Sequence, residues 1–158
     1  MGIRLGNADG APTAEQIAAM YGNVYGMPSW SDFTGAFGQS YNPSAHPFAG
    51  GGTRALVATA MGHDYTGVEI RQAEVDRLME RREQLGMEYS VVCADSQFYP
   101  IEDGYFDFAY TCPPYYDLEV YSKEEGDMSN ADSYEDFLDM LRNSMEVTYR
   151  GLKDGAFF

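Results

Sequence analysis

Four stretches of this sequence carry residue types that could do chemistry: the glycine run Gly50-Gly51-Gly52, the acids Glu69 and Asp95, and the hexapeptide Thr111-Cys112-Pro113-Pro114-Tyr115-Tyr116. The hexapeptide follows the strand-like run Phe106-Asp107-Phe108-Ala109-Tyr110. Two consecutive prolines lack N–H donors and fix φ, so the backbone leaves the strand as a stiff loop with its carbonyls exposed. Those carbonyls can accept hydrogen bonds from an exocyclic NH₂ on a planar ligand, and Tyr115 offers a ring for stacking. The three glycines precede the helix-like run Ala55-Leu56-Val57-Ala58-Thr59-Ala60-Met61, where they permit positive φ and close backbone approach to a ligand at a helix N-terminus. Glu69 sits near the end of Tyr65-Thr66-Gly67-Val68-Glu69-Ile70, close to the ~20-residue offset at which an acid meets ribose hydroxyls in Rossmann-type sites. Asp95 leaves the strand-like Tyr89-Ser90-Val91-Val92-Cys93. It suits either an adenine amino group or the capping of a turn.

The elements that must position these residues read as one domain, since 158 residues with 44% apolar composition support a single core. Residues 1–44 read as an N-terminal arm. A capping box at Thr13 and Gln16 predicts a short helix over 14–20, and a loop-rich stretch follows whose Trp30, Phe33, Phe37 and Tyr41 pack on the domain or on a neighbouring subunit. Residues 45–158 read as the core. Val75, Leu78, Met79 and Leu85 form one face of a crossover helix, with Arg77, Arg81 and Arg82 in solvent. Ser133 and Asp136 cap a helix whose expected buried stripe is Phe137, Leu138, Leu141, Met145 and Tyr149. Gly151-Leu152-Lys153-Asp154-Gly155 reads as a turn into a fifth strand at Ala156-Phe157-Phe158. Alternating strands and helices predict an α/β fold, a Rossmann-like, doubly wound, mostly parallel sheet with helices on both faces. All four chemical stretches then fall at the carboxyl edge of the sheet.

The net charge of −15 argues against a self-sufficient nucleic-acid surface, because phosphate binding draws on a basic face. Asp117, Glu119, Glu124, Glu125, Asp127, Asp132, Glu135, Asp136 and Asp139 are balanced locally by Lys123 alone and read as a solvated, solubilising face. No apolar run approaches the ~20 residues needed to span a bilayer, and the start lacks a signal-peptide core. A cytoplasmic location without membrane association is the expectation. Cys93 and Cys112 lack metal-ligand spacing and are expected as free thiols, and no metal site is anticipated.

From about His46 to Phe158 the sequence resembles the S-adenosylmethionine-dependent DNA amino-methyltransferases, especially the compact phage and bacterial adenine-N6 or cytosine-N4 type. Pro47-Phe48-Ala49-Gly50-Gly51-Gly52-Thr53 is similar to the family's cofactor loop, Gly67-Val68-Glu69-Ile70 to its ribose-binding stretch, and Ala94-Asp95-Ser96 to its adenine-contacting one. Cys112-Pro113-Pro114-Tyr115 is similar to its catalytic tetrapeptide, Asp, Asn or Ser followed by Pro-Pro and an aromatic. The resemblance implies S-adenosylmethionine as cofactor, held by Phe48, Ala49, Gly50, Gly52, Thr53, Glu69 and Asp95. It implies DNA as substrate, with Cys112, Pro113, Pro114 and Tyr115 as catalytic residues. Two further readings stand beside it: a structural or assembly protein with impaired catalysis, and a protein-glutamine N-methyltransferase.

Three departures from the family pattern shape the expectations. Cys112 replaces Asp, Asn or Ser and most resembles the Ser variant, which leans towards cytosine-N4. Ser40-Tyr41-Asn42-Pro43-Ser44-Ala45-His46 stands where the family has an apolar strand ending in an acid, so a weak or missing first strand is expected, with sequence lost between Ser44 and His46. The sequence ends at Phe158, where the family continues with further strands. A truncated core is therefore expected, with the basic DNA surface supplied by missing sequence or by a partner subunit, and homo-oligomerisation is an open option.

Overall fold

A computed structural model describes residues 43–158. The expected helix over 14–20 and the aromatics Trp30, Phe33, Phe37 and Tyr41 of the arm lie outside the described residues. The described elements run β1 (Ser44–His46), α1 (Thr53–Ala60), β2 (Tyr65–Glu69), α2 (Gln72–Leu85), β3 (Ser90–Cys93), β4 (Phe106–Ala109), a 3-10 turn (Met128–Asn130), α3 (Tyr134–Arg150) and β5 (Leu152–Phe157).

The strands form one sheet in the order β3-β2-β1-β4-β5, with every neighbouring pair parallel. Chain progression reverses between β1 and β4, which makes this the switch point of a Rossmann-like sheet. On one face α1 and α2 bury Ala55, Leu56, Val75 and Leu78 against Tyr65, Tyr89 and Val91. On the other, Ala45, Phe106 and Ala109 pack with Ile101 and Leu152. Val147 and Thr148 of α3 line a small cavity there with Ala45, Thr66, Val68 and Phe106.

The first strand is present. Ser44, Ala45 and His46 pair in unbroken register with Tyr65, Thr66 and Gly67 on one side, and Ser44 and Ala45 pair with Phe108 and Ala109 on the other. Residues 44–46 run as one continuous strand between β2 and β4. The strand escapes a sequence reading because three residues are too few to show a period and two of them are polar. Their polarity is met in part inside the fold: Ser44 Oγ donates to Asp64 O at 3.1 Å and lies 3.2 Å from His46 Nε2, while His46 Nδ1 is buried without a hydrogen-bond partner among the described residues. Pro43 sits just outside the strand, and its carbonyl accepts from Asp107 N–H, so its missing donor costs no ladder bond.

Two other expectations are corrected. The buried face of α3 is Phe137, Ser144 and Thr148, whereas Leu138 and Tyr149 are exposed. Ser144 is fully buried with its Oγ 2.8 Å from Ser96 Oγ, and Thr148 Oγ1 donates to Ser144 O at 2.8 Å. Small self-satisfied hydroxyl residues let the helix approach the sheet, and an apolar count passes over them. The stretch 152–155 is not a turn but part of β5, interrupted by a bulge. Leu152 pairs with Phe106 and Phe157 with Phe108, so three extra residues on β5 are accommodated around Gly155 at φ 80.

Candidate active site

Three hydrogen bonds donated by backbone N–H groups stitch the carboxyl edge together. Gly50 N–H donates to Glu69 Oε2 at 2.9 Å, fixing the glycine loop to the end of β2. Ala94 N–H donates to the Glu69 carbonyl at 3.0 Å, and Tyr110 N–H donates to the Ala45 carbonyl at 3.2 Å. The segments after β1, β2, β3 and β4 therefore share one edge, as the parallel order requires.

The glycine loop follows from its residues. Ala49 N–H continues the β1–β2 pairing onto Val68 O at 2.8 Å, and the chain then turns through Gly50 (φ 57) and Gly52 (φ 78) into α1. A Cβ at Gly52 would stand 1.9 Å from Leu78 Cδ2, so this glycine is demanded by packing on α2. Arg54 ties the loop from below by donating to the carbonyls of Phe48 and Ala49. Thr53 begins α1, which has no side-chain cap, so the first-turn amides stand open at the loop.

Glu69 is buried and held. Its Oε1 accepts from Arg71 N–H at 3.1 Å and Arg71 Nε at 3.2 Å, opposite the Gly50 bond to Oε2. Asp95 does cap a turn: Oδ1 accepts from Gln97 N–H at 2.9 Å and Oδ2 from Gln97 Nε2 at 3.1 Å.

His46 closes β1 beside this loop as a core residue. It is 4% exposed and stacks on Tyr65 at 4.1 Å between centroids. Burial, reinforced by the Arg54 charge, lowers its pKa to about 4, so the ring is neutral near neutral pH. Burial likewise raises the Tyr65 hydroxyl pKa, leaving a neutral pair under the loop.

After β4, Pro113 and Pro114 are half-buried while Cys112 is exposed and Tyr115 is 56% exposed, with an accessible ring. Tyr116 anchors the segment by packing on Tyr134 at 5.4 Å and Phe137 at 5.6 Å, so the motif is pinned to α3 on one side and to β1 on the other. Asp117 follows at φ 54, a left-handed conformation that an aspartate tolerates and that turns the chain sharply.

The sequence did not single out Ile70, Tyr121, Gly126 and Asp127 as members of this edge. The Tyr121 hydroxyl pKa is raised, first by interaction with the Glu119 carboxylate and further by the nearby Tyr115 and Cys112. Asp127 is buried and accepts from Ser129 N–H at 2.9 Å, Ser129 Oγ at 2.7 Å and Ser122 Oγ at 2.6 Å. The Asp127-Met128-Ser129 spacing is that of an Asx turn, and this was the available signal. Among the described residues no cluster of three or more His, Cys, Asp or Glu side chains could hold a metal ion, and no helix is long and apolar enough to cross a membrane.

No protein-family model matches the sequence, and no curated protein matches it. Solved structures do match. An S-adenosylmethionine-dependent methyltransferase from Clostridium acetobutylicum is 15% identical with a TM-score of 0.55, over 89% of this chain and 54% of that one. The YcgJ protein from Bacillus subtilis is 16% identical with a TM-score of 0.57, over 80% of this chain and 46% of that one. A geranyl diphosphate methyltransferase in complex with GPP and sinefungin is 15% identical with a TM-score of 0.53, over 73% of this chain and 37% of that one. The chain spans about half the length of the first two and less of the third. At such identities the likeness is one of fold: the Rossmann-like sheet described above is shared with solved structures that include S-adenosylmethionine-dependent methyltransferases.

Proposed function

We propose that this chain carries the cofactor and catalytic segments of an S-adenosylmethionine-dependent methyltransferase acting on the exocyclic amine of adenine or cytosine in DNA. The observation that carries the reading is the gathering of the glycine loop, Glu69, Asp95 and the Cys112-Pro113-Pro114-Tyr115 motif on one edge, with Glu69 bonded directly to Gly50. The fold shared with S-adenosylmethionine-dependent methyltransferases supports it.

The residues present fit such a cofactor. Glu69 is fixed at the end of β2 with its carboxylate oriented by Gly50 and Arg71, and would accept the ribose hydroxyls. Phe48, Ala49, Gly50, Gly52 and Thr53 would bring backbone and the open first turn of α1 towards the charged tail, and Asp95 would meet the purine. When bound, S-adenosylmethionine supplies an electrophilic methyl group on a sulfonium. The chain's own task is to orient a poor nucleophile. An exocyclic amine has its lone pair delocalised into the ring, and hydrogen bonds from both its hydrogens localise that pair. The Pro113 carbonyl would take one hydrogen and Cys112 the other. A thiol is a weak acceptor, so the second bond is the weaker. The exposed Tyr115 ring would stack on the target base once it is flipped out of the duplex, and the rigid Pro113-Pro114 backbone would set its alignment.

The charge of the chain bears on the substrate. Ten Lys and Arg are present and only Arg4 precedes residue 43. Of the remaining nine, Arg71, Arg77, Arg142, Arg150 and Lys153 pair with carboxylates. DNA engagement on this reading draws its basic surface from other sequence or from a partner subunit. The same acidity favours, as second reading, an amide on a protein substrate. Incubation with methyl-labelled S-adenosylmethionine, DNA and candidate proteins, followed by nucleoside analysis, tests the choice. Label in N6-methyladenine or N4-methylcytosine is expected; label confined to protein would replace DNA by the second reading.

A further inference from the structure

The stretch after the motif returns to the sheet edge instead of leaving for solvent. Asp127 is the hub that brings it back: it binds Ser122 and Ser129, Ser129 Oγ in turn accepts from Tyr121 N–H at 3.2 Å, and Asn130 Nδ2 donates to Ser122 O at 2.9 Å. These bonds hold residues 121–130 as a compact loop. Its inward point is Gly126, at φ 89. A Cβ there would stand 2.3 Å from Asp95 Oδ2 and 3.4 Å from Ile70 Cδ1. Glu124 lies near enough for its charge, after burial, to help raise the Cys93 thiol pKa at the end of β3.

Asp95 and Ile70 follow β3 and β2 at the carboxyl edge where, on the reading proposed above, the purine of the cofactor lies. We infer that residues 121–130 are the outer wall of that purine end, with Gly126 as the residue whose missing side chain lets the wall close directly onto the Asp95 carboxylate and Asp127 as the residue that positions the wall. The inference rests on the cofactor reading. It adds that the segment following the catalytic motif shapes affinity for the adenosyl group, so that motif and cofactor site are joined by one continuous stretch of chain. Burial adds a second anchor, since Met128 is 3% exposed.

Gly126→Ala introduces both positive-φ strain and a collision with Asp95, so a control must carry strain alone. Gly104 supplies it, being at φ 62 with nothing within 4 Å of a built Cβ. The measurement is calorimetric binding of S-adenosylhomocysteine to wild-type chain, Gly126→Ala and Gly104→Ala, each checked for native unfolding behaviour. Trypsin cleavage at Lys123, the sole Lys or Arg between Arg82 and Arg142, is followed with and without the same ligand. Binding about tenfold or more weaker in Gly126→Ala alone, the scale of an overpacking penalty, with ligand protection of Lys123 in wild type, is the expected result. Asp127→Asn, which keeps the side-chain shape but weakens the hub, is expected to speed cleavage at Lys123. Wild-type binding that Gly126→Ala leaves unchanged, or cleavage indifferent to ligand, overturns the wall while leaving the cofactor reading intact. Absence of binding to wild type overturns both.

Discussion

Glu69 and Gly50 are joined by a hydrogen bond of 2.9 Å across 19 residues, so the acid proposed to meet the ribose also tethers the glycine loop. Removing the carboxylate strips a partner from Gly50 N–H and from Arg71 at once. Glu69→Ala is expected to cost about 1–3 kcal/mol of stability through groups left unpaired, with Glu69→Gln milder. Urea unfolding measures the cost, and faster amide exchange at Gly50 identifies the loop as its source.

Gly52 presses on Leu78. Because its φ is 78 and a Cβ would fall 1.9 Å from Leu78 Cδ2, Gly52→Ala combines left-handed strain with overpacking. A loss of about 2–4 kcal/mol is expected. Leu78→Ala in the same chain removes the collision, so the double variant should lose less than the two single losses added together, as thermal unfolding of the four proteins would reveal.

Ser144 and Ser96 form a buried hydroxyl pair at 2.8 Å. Ser144→Ala leaves Ser96 Oγ without its partner and should destabilise by about 1–3 kcal/mol, whereas adding Ser96→Ala should restore part of that. A fully additive double variant would show that the pair does not act as a unit.

His46 makes stability depend on pH in a defined direction. Its folded pKa of about 4 lies below the ordinary 6.5, so the unfolded chain takes up the proton first. The contribution is complete above pH 6.5 and is lost as pH falls towards 4, by roughly 3 kcal/mol in total. His46→Gln should flatten the urea-midpoint profile within that window; a profile of unchanged slope would assign the dependence to carboxylates.

On the proposed reading, Tyr115 and Pro114 act on the target and not on the cofactor. Tyr115→Ala and Pro114→Ala are expected to reduce methyl transfer at least about tenfold through misalignment, with little change in S-adenosylhomocysteine affinity. Equal losses in both measurements would contradict the division of roles.

Much of the fold was legible because alternating strands and helices leave periodic traces: Val75 and Leu78 marked the buried face of α2, Ser133 capped α3, and Tyr65 to Glu69 read as a strand. What escaped was set by contacts between distant residues. Three-residue β1 is a strand because β2 and β4 pair with it, and His46 is core because Tyr65 covers it. The face of α3 turned on Ser144 and Thr148, whose burial depends on Ser96 and on a back-bond within the helix. At the candidate site, motif order named Gly50, Glu69, Asp95 and Cys112 to Tyr115 as candidates, and the parallel strand order places all of them on one edge. The approach of Gly126 to Asp95 has no local signature, since it depends on how Asp127 folds the following loop.

The most direct test of the account is calorimetric titration of S-adenosylmethionine into the purified chain and its Glu69→Ala and Asp95→Ala variants. Saturable binding to wild type, weakened at least about tenfold by Glu69→Ala and measurably by Asp95→Ala, is the predicted result. No binding to folded wild-type chain, or binding that neither substitution alters, would contradict it.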